Sequence, residues 1–161
     1  MKLYRYGLYV LLLTSLSVLS ASIYFQVVMG LRPCPLCLMQ RYCVLLVVIT
    51  SWGALIGRVS RARKLLIAQA LIALAGLYFS GRQVWLQSLT PDQLPACLPG
   101  LDVLIKYFPW QDVLKALVLG SSECSEVTWQ WLGLSMPAWS ALYFLGLFLG
   151  TLVVRYIIRR L

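Results

Sequence analysis

Residues 36–57 read LCLMQRYCVLLVVITSWGALIG and contain a single charged side chain, that of Arg41. A helix needs about 20 mostly apolar residues to cross the hydrocarbon core of a bilayer, and this stretch is long enough. Three further stretches of the chain are similarly apolar. The pattern predicts an all-α membrane protein, a bundle of four transmembrane helices that forms one domain over residues 1–161. The predicted spans lie at about 8–29, 38–57, 65–81 and 137–154.

The composition excludes a soluble globular protein. The chain is 61% hydrophobic and 12% charged, whereas soluble domains are about 25% charged. The opening residues resemble a secretory signal peptide, with small residues at Ser20-Ala21-Ser22, but the apolar character continues to Met29. A signal peptide has a shorter apolar region, so we expect the first span to be retained.

The charged residues predict the orientation of the bundle. Nine of the 14 Lys and Arg residues flank the spans at one end, and all five acidic residues lie in the long link at 82–136. The nine are Lys2, Arg5, Arg58, Arg61, Arg63, Lys64, Arg155, Arg159 and Arg160. Since Lys and Arg are enriched on the cytoplasmic side, both termini are predicted to be cytoplasmic and the long link to lie outside. The net charge of +9 follows from this distribution, so no nucleic-acid partner is expected.

The link at residues 82–136 is predicted to be irregular in its first half, because prolines interrupt regular structure. It contains Pro91, Pro95, Pro99 and Pro109. Residues 113–119 are apolar at helical spacing between Trp110 and Gly120. This pattern predicts a short helix lying on the membrane surface, with Trp110 at headgroup depth. A helix packed on the bundle is the alternative.

Four of the five cysteines are predicted to face one oxidising compartment, where disulfides persist. Cys34 and Cys37 stand at the start of the second span, and Cys97 and Cys124 lie in the long link. The fifth, Cys43, falls inside the second span and is interpreted as a small buried apolar residue. Two dithiols on one side of a membrane predict thiol–disulfide exchange, in which a thiolate is the attacking group.

The Cys34-Pro35-Leu36-Cys37 segment favours a reactive sulfur. Proline suits the first turn of a helix, so Cys37 is predicted to lie at a helix N-terminus, where the positive end of the dipole favours a thiolate. Arg41 lies one helical turn farther along the same face. A charged side chain next to lipid marks a functional site. Arg41 can stabilise a Cys37 thiolate, or donate hydrogen bonds to the carbonyl oxygen of a bound acceptor.

Structural explanations of the cysteines compete with a redox role. Zinc usually takes four close Cys or His ligands, but the chain has no histidine, so no metal site is predicted. A disulfide between Cys34 and Cys37 closes a loop too short to stabilise the fold much by chain entropy. For Cys97 and Cys124, considered alone, a structural disulfide and a redox role are equally open.

The chain resembles a known family, the bacterial disulfide bond formation protein B (DsbB) family. The resemblance rests on Pro33-Cys34-Pro35-Leu36-Cys37 followed by Gln40-Arg41-Tyr42. It rests also on the widely spaced Cys97 and Cys124, and on residues 131–139, WLGLSMPAW, at the start of the last span. The resemblance extends over nearly the whole chain, and these motifs together make it specific.

The resemblance implies a quinone-linked thiol oxidase of the bacterial inner membrane, multi-pass, with its redox cysteines on the periplasmic side. The implied partner is a periplasmic thioredoxin-fold oxidase of the DsbA type, which attacks a Cys97–Cys124 disulfide and forms a mixed disulfide with Cys97. Cys34 and Cys37 would reoxidise that pair. Cys37 would then pass the electrons to ubiquinone, or under anaerobic conditions to menaquinone, bound beside Arg41. The four cysteines are thereby implied to be catalytic, and Cys37 and Arg41 to bind quinone, in support of disulfide formation in secreted proteins.

Gln40 departs from the family pattern, because some members have an acidic residue just before the arginine; no proton-transfer role is therefore assigned to it. Direct exchange requires Cys97 to approach Cys34, so we expect the loop to rearrange during turnover. Two other functions stay open. One is a non-catalytic membrane scaffold stapled by Cys97–Cys124, and the other is an oxidoreductase resembling quinone-epoxide reductases.

Overall fold

The computed structural model describes residues 2–31, 33–93, 101–127 and 129–160. In chain order the helices are α1 (Lys2–Val27), α2 (Pro35–Ile56), α3 (Val59–Gln87), α4 (Leu101–Tyr107), α5 (Trp110–Leu119) and α6 (Met136–Arg159). Helices α1, α2, α3 and α6 are each long and apolar enough to cross a membrane. The predicted all-α, four-helix membrane fold is confirmed.

Helix α3 is longer than the apolar stretch at 65–81 from which its span is predicted. It begins at Val59, directly after the Gly57-Arg58 corner, and continues to Gln87. Arg61, Arg63 and Lys64, which lie between the predicted second and third spans, therefore belong to the first turns of α3. At its other end, α3 extends beyond Gly81 and carries polar side chains to the end of the bundle where α2 begins.

Helix α3 packs extensively against α2 and α6, and α1 packs against the same two helices. The close approach of α3 and α6 depends on Gly76, because a Cβ there would overlap the ring of Phe144. Small residues at such contacts let transmembrane helices approach each other. Apolar side chains such as Leu8, Val47 and Leu66 fill the interior, while many large apolar side chains are exposed on the outside, where lipid would cover them.

Polar side chains in the middle of the bundle satisfy one another. Ser51 Oγ donates to Gln69 Oε1 at 3.2 Å, and Gln69 Nε2 donates to Thr151 Oγ1 at 3.2 Å. Thr151 in turn donates to the backbone oxygen of Leu147 at 2.7 Å. An unpaired polar group in lipid costs several kcal/mol, so this network ties α2, α3 and α6 together without leaving the Gln69 amide unpaired.

The link between α3 and α6 is more regular than its prolines predict. The expectation of a mostly irregular first half is wrong for the described residues. Helix α3 continues to Gln87, residues Pro91–Gln93 form a 3-10 turn, and α4 follows at Leu101–Tyr107. Proline at the start of a helical turn has an N–H position that would be unpaired anyway, so a proline can begin such a turn.

The short helix predicted at 113–119 is confirmed as α5. Val113 and Ala116 are buried, and the helix contacts α2. Trp110 and Leu114 are exposed on the remaining surface. The two alternatives left open by the sequence therefore describe two faces of one helix, one packed on the bundle and one apolar and available to a membrane surface.

A two-residue hairpin fastens the end of the link to α6. Its strands β1 (Gln130–Trp131) and β2 (Leu134–Ser135) pair in antiparallel register. The two residues between the strands have positive φ angles, 52° at Leu132 and 78° at Gly133, as tight hairpin turns require. Trp139 Nε1 donates to the backbone oxygen of Trp131 at 3.1 Å, which holds the hairpin against the first turn of α6.

Candidate redox site

The N-terminus of α2 positions two sulfur atoms side by side. Cys34 is the N-cap residue, and its sulfur accepts a hydrogen bond from the backbone N–H of Cys37 at 3.4 Å. Pro35 occupies the first helical turn, where proline is pre-organised for helix. The sulfurs of Cys34 and Cys37 lie 3.1 Å apart, so small side-chain rotations are enough to form a disulfide, whose bond is about 2 Å long.

A third sulfur, that of Cys124, joins this pair from the long link. Cys124 is buried in the 3-10 turn Ser122–Ser125 and belongs to one cluster with Cys34, Leu36 and Leu86. In the described part of the chain, Cys34, Cys37 and Cys124 are free thiols. The structure thus brings together residues that are 90 positions apart in sequence (34 and 124).

Gly120 permits the approach of this segment to the bundle. Its φ angle is +81°, and a Cβ at this position would lie 2.7 Å from side-chain carbons of Leu36 and Leu86. Glycine alone adopts this backbone conformation without strain and leaves that space empty. The preceding turn is held by Arg82, whose Nε donates to the backbone oxygen of Leu119 at 3.1 Å.

The Cys34 and Cys124 thiols shift each other's acidity in opposite directions. The hydrogen bond with Cys34, together with backbone hydrogen bonds at Leu36 and Ser121, lowers the pKa of Cys124 to about 6 against the opposing effect of burial. The contacts with Cys124 and Cys37, together with burial, raise the pKa of Cys34. Cys124 is therefore the more acidic thiol of this contact and Cys34 the less acidic one.

Cys37 is contacted by a residue that the sequence pattern did not indicate, Gln83 of α3. Gln83 Nε2 lies 3.3 Å from the sulfur of Cys37 and 3.5 Å from that of Cys34. Gln40 Nε2 donates to Gln83 Oε1 at 2.8 Å. Gln83 lies beyond the predicted third span, which ends at 81. The available signal was the continuation of the apolar helical pattern through Val84-Trp85-Leu86.

Arg41 is half-buried and reaches across to α1. Its Nε donates to Ser22 Oγ and its Nη2 to the backbone oxygen of Ser22, each at 3.0 Å. Its Nη1 donates to Gln26 Oε1. A guanidinium has five N–H donors, and these bonds use three of them. The group is held in place with donors to spare.

A cavity of about 330 Å³ opens beside Cys37 and Arg41. Its walls come from α1, α2, α6 and the segment before β1, with Gln40 and Gln83 at the sulfur end. The apolar part of the lining includes Val18, Leu19, Phe25, Val44, Trp129 and Trp139. A mostly apolar pocket with a few convergent polar groups is typical of small-molecule sites.

A second cavity, of about 470 Å³, lies at the opposite end of the bundle between Tyr4, Arg5 and Arg58. It is larger, but its lining includes no cysteine. Chemistry rather than size therefore identifies the redox cavity, because the reactive sulfur of Cys37 lines the smaller one.

The structure brings four of the predicted site residues, Cys34, Cys37, Cys124 and Arg41, to the same end of the bundle, where α2 begins. Cys97 lies outside the described residues. Cys43 is buried among apolar side chains of the bundle core, away from the sulfur cluster, which matches its interpretation as a small apolar residue. Within the described ranges, no group of three or more His, Cys, Asp or Glu side chains forms a metal-binding arrangement.

Known proteins are similar to this chain over most of its length. A family model described as Disulfide bond formation protein DsbB matches residues 4–154. Disulfide bond formation protein B of Methylococcus capsulatus is 44% identical over 133 residues, 81% of each chain. The protein of the same name from Stutzerimonas stutzeri is 40% identical over 137 residues, 84% of each chain. Disulfide bond formation protein B 1 of Pseudomonas aeruginosa is 38% identical over 149 residues, 91% of each chain.

Proposed function

The chain belongs to the disulfide bond formation protein B family, and from that premise we propose the route by which it forms disulfides. Disulfide bond formation is an oxidoreductase activity, carried here by a protein with four candidate membrane spans. We infer that the protein reoxidises a periplasmic thioredoxin-fold dithiol oxidase of the DsbA type. The electrons pass first through Cys97 and Cys124 and then through Cys34 and Cys37. The final acceptor is ubiquinone, or menaquinone under anaerobic conditions.

The packing of Cys124 against Cys34 is the observation that carries the proposal. The exchange begins with the loop pair reduced by the partner and with a disulfide between Cys34 and Cys37. The thiolate of Cys124 attacks the sulfur of Cys34. As the Cys124–Cys34 bond forms, the Cys34–Cys37 bond breaks, and its electron pair leaves on Cys37 as a thiolate.

A second exchange completes the transfer between the two pairs. The thiolate of Cys97 attacks Cys124, the Cys124–Cys34 bond breaks, and the electron pair leaves on Cys34. The loop pair is then a disulfide again, while Cys34 and Cys37 together hold the two electrons. Each step replaces one S–S bond by another, so an external oxidant is needed only to reoxidise Cys34 and Cys37.

The cavity beside Cys37 suits a quinone as that oxidant. Its apolar lining matches a quinone ring and isoprenoid tail, and its volume of about 330 Å³ is that of a small-molecule site. When bound, a quinone supplies an acceptor for two electrons and two protons. Cys37 presents its sulfur to the cavity, and the remaining N–H donors of Arg41 are available to a carbonyl oxygen.

We further propose that the protein lies in the bacterial inner membrane with both termini in the cytoplasm and its redox cysteines in the periplasm. The cysteines and the basic residues support this orientation, because they lie at opposite ends of the helices. Helix α2 runs from Cys34 to the Gly57-Arg58 corner, and α6 ends at Arg159. A periplasmic partner would then reach Cys97 without crossing the bilayer.

Purified protein in detergent, mixed with a soluble ubiquinone analogue and a reduced DsbA-type partner, tests the proposal. We expect oxidation of the partner together with loss of quinone absorbance in equal amounts. Cys37→Ser should abolish both, because the thiolate that faces the cavity is lost. Cys43→Ser is the matched control, since it removes a cysteine of the same helix outside the sulfur cluster, and it should keep nearly full activity. Partner oxidation that survives Cys37→Ser would sink the proposal.

The same assay separates the two alternatives. A stapled scaffold would oxidise no partner even with the wild-type chain. An enzyme resembling quinone-epoxide reductases would consume partner thiols with a quinone epoxide and leave the quinone itself unchanged. The contact between Cys124 and Cys34 favours the proposed route over a staple, because a structural disulfide between Cys97 and Cys124 has no need of a third and fourth sulfur beside it.

A further inference from the structure

Negative charge moves between sulfur atoms during the proposed exchange, and a neutral amide on α3 reaches both atoms that receive it. Gln83 Nε2 is 3.3 Å from the sulfur of Cys37 and 3.5 Å from that of Cys34. The hydrogen bonds of Arg41, the residue expected from sequence to stabilise a Cys37 thiolate, run instead to Ser22 and Gln26 on α1. Arg41 therefore bonds to α1 on the far side of the cavity, and the Gln83 amide donates hydrogen bonds to the sulfurs.

Gln40 determines which end of the Gln83 amide faces the sulfurs. Gln40 Nε2 donates to Gln83 Oε1 at 2.8 Å. An N–H group bonds to the oxygen of an amide and not to its NH₂ group, so the N–H groups of Gln83 are left to point at Cys34 and Cys37. Gln40 is 7% exposed and Gln83 is 4% exposed, so water competes little for these bonds.

We propose that Gln83, oriented by Gln40, is a further catalytic residue of this site, whose amide stabilises the thiolate formed each time the disulfide of Cys34 and Cys37 opens. The inference rests on the proposed exchange between the two dithiols. In its first step the electron pair of the broken bond goes to Cys37. In its second step the pair goes to Cys34, so one donor serves both leaving groups.

An amide suits this position because its own charge never changes. A carboxylate would repel the thiolate, whereas the N–H groups of a neutral amide donate hydrogen bonds to it without adding a charge. Gln83 Oε1 also lies 3.5 Å from the sulfur of Cys37 as the acceptor of its S–H, so the residue pairs with the thiol as well. Since hydrogen bonds to charged groups are the stronger ones, the amide favours the thiolate without trapping it.

The redox equilibrium of the isolated Cys34–Cys37 pair tests the proposal. The measurement uses the Cys97→Ala, Cys124→Ala background in detergent, equilibrated with glutathione buffers, with neither quinone nor partner present. We expect Gln83→Met to lower the equilibrium constant for reduction about tenfold, which is roughly 30 mV for this two-electron couple. Gln40→Met, which removes only the orienting amide, should lower it about threefold.

Gln69→Met is the matched control. It replaces a fully buried glutamine of the same helix whose partners are Ser51 and Thr151, and we expect the equilibrium constant to change by less than about twofold. If Gln83 has a purely structural role, as Gln69 does, Gln83→Met will also leave the equilibrium constant unchanged. That result would overturn the proposal. If Gln83→Met does not fold, Gln40→Met provides the test, because the Gln40 side chain makes no hydrogen bond to a sulfur of the described residues and can change the equilibrium constant only through Gln83. An unchanged equilibrium constant in Gln40→Met would then overturn the proposal. Failure of partner oxidation in the quinone assay would overturn the proposed function and would leave this equilibrium measurement as it stands.

Discussion

Helix α3 carries two buried glutamines with different surroundings. Gln69, in the middle of the bundle, bonds to the hydroxyls of Ser51 and Thr151. Gln83, near the C-terminal end of the helix, bonds to Gln40 and contacts the sulfurs of Cys34 and Cys37. The hydroxyl partners of Gln69 take no part in the proposed exchange, whereas the sulfur partners of Gln83 form and break bonds and change charge in it. The comparison separates polar groups that hold the helices together from polar groups that act in the reaction.

Arg41→Ala should show the largest effect at the reactive end. Arg41 lines the cavity and keeps unused N–H donors, and removing a donor from a developing oxyanion slows catalysis about 100-fold. We therefore expect kcat/KM for the quinone to fall about 100-fold, while thiol exchange with the protein partner changes less than about twofold. The two rates are measured separately, by quinone absorbance and by single-turnover thiol trapping.

Two variants sharpen this result. Arg41→Lys keeps the charge but loses the planar fork of donors, so it should fall between wild type and Arg41→Ala. Ser22→Ala removes one hydrogen-bond acceptor of Arg41 on α1 and keeps the guanidinium. It should therefore lower kcat/KM for the quinone less than Arg41→Ala does. Equal loss of quinone reduction and partner exchange in Arg41→Ala would mean that Arg41 merely joins α1 to α2, as Gln69 joins α3 to its neighbours.

Cys34→Ala should change the acidity of Cys124. The hydrogen bond with Cys34 is the largest cause that lowers the pKa of Cys124 to about 6, so its loss should raise that pKa towards the ordinary thiol value of about 8.5. In the fully reduced protein the Cys124 thiolate is present above pH 6 and is lost as the pH falls through about 6. In the variant it should be lost between about pH 9 and 8. Chemical shifts of isotope-labelled cysteine, followed against pH, measure both.

Cys43→Ala is the control for that titration, because Cys43 lies in the bundle core outside the sulfur cluster. It should leave the pKa of Cys124 near 6. If Cys124 kept its low pKa in Cys34→Ala, the backbone hydrogen bonds at Leu36 and Ser121 would be the cause of that low pKa. The contact with Cys34 would then have no effect on the acidity of Cys124.

The parts of the molecule that local patterns determine were predictable from sequence. Four apolar stretches predicted four helices, because a chain in lipid must satisfy its backbone hydrogen bonds within each span. The helix-starting Pro35 predicted that Cys37 lies in a first turn, and the charge of Arg41 beside lipid marked it as functional. Each of these inferences uses residues within a turn or two of each other.

The parts that depend on distant residues were not predictable. The contact of Cys124 with Cys34 depends on a glycine with positive φ at Gly120 and on the space that Leu36 and Leu86 leave there. The role of Gln83 depends on where α3 ends, and apolarity alone ended the predicted span before it. Neither contact has a signature in the spacing of a single sequence, because each joins segments that meet only after the bundle has packed.

Gly120→Ala should slow transfer between the dithiols about tenfold, through roughly 1–3 kcal/mol of overlap with Leu36 and Leu86. The overlap pushes the Cys124 turn away from Cys34. Gly133→Ala is the matched control, since Gly133 also has a positive φ, 78°, but a Cβ there meets nothing within 4 Å. Both variants place a Cβ on a residue with positive φ, so equal slowing would assign the effect to backbone strain rather than to the position of Cys124.

Gln69→Met should show the smallest effect, and on stability alone. Interhelical hydrogen bonds in membranes contribute about 0.6 kcal/mol on average and about 1.7 at most, so we expect the free energy of unfolding to fall by about 1 kcal/mol. Thr151→Val, which removes the acceptor of the Gln69 amide at nearly constant volume, should have a similar effect. Unfolding in mixed micelles measures the stability, and the quinone assay measures the activity of the folded fraction, which we expect to be unchanged. A loss of activity in Gln69→Met without a loss of stability would break the distinction between the two glutamines, because it would make the middle of the bundle part of the electron route.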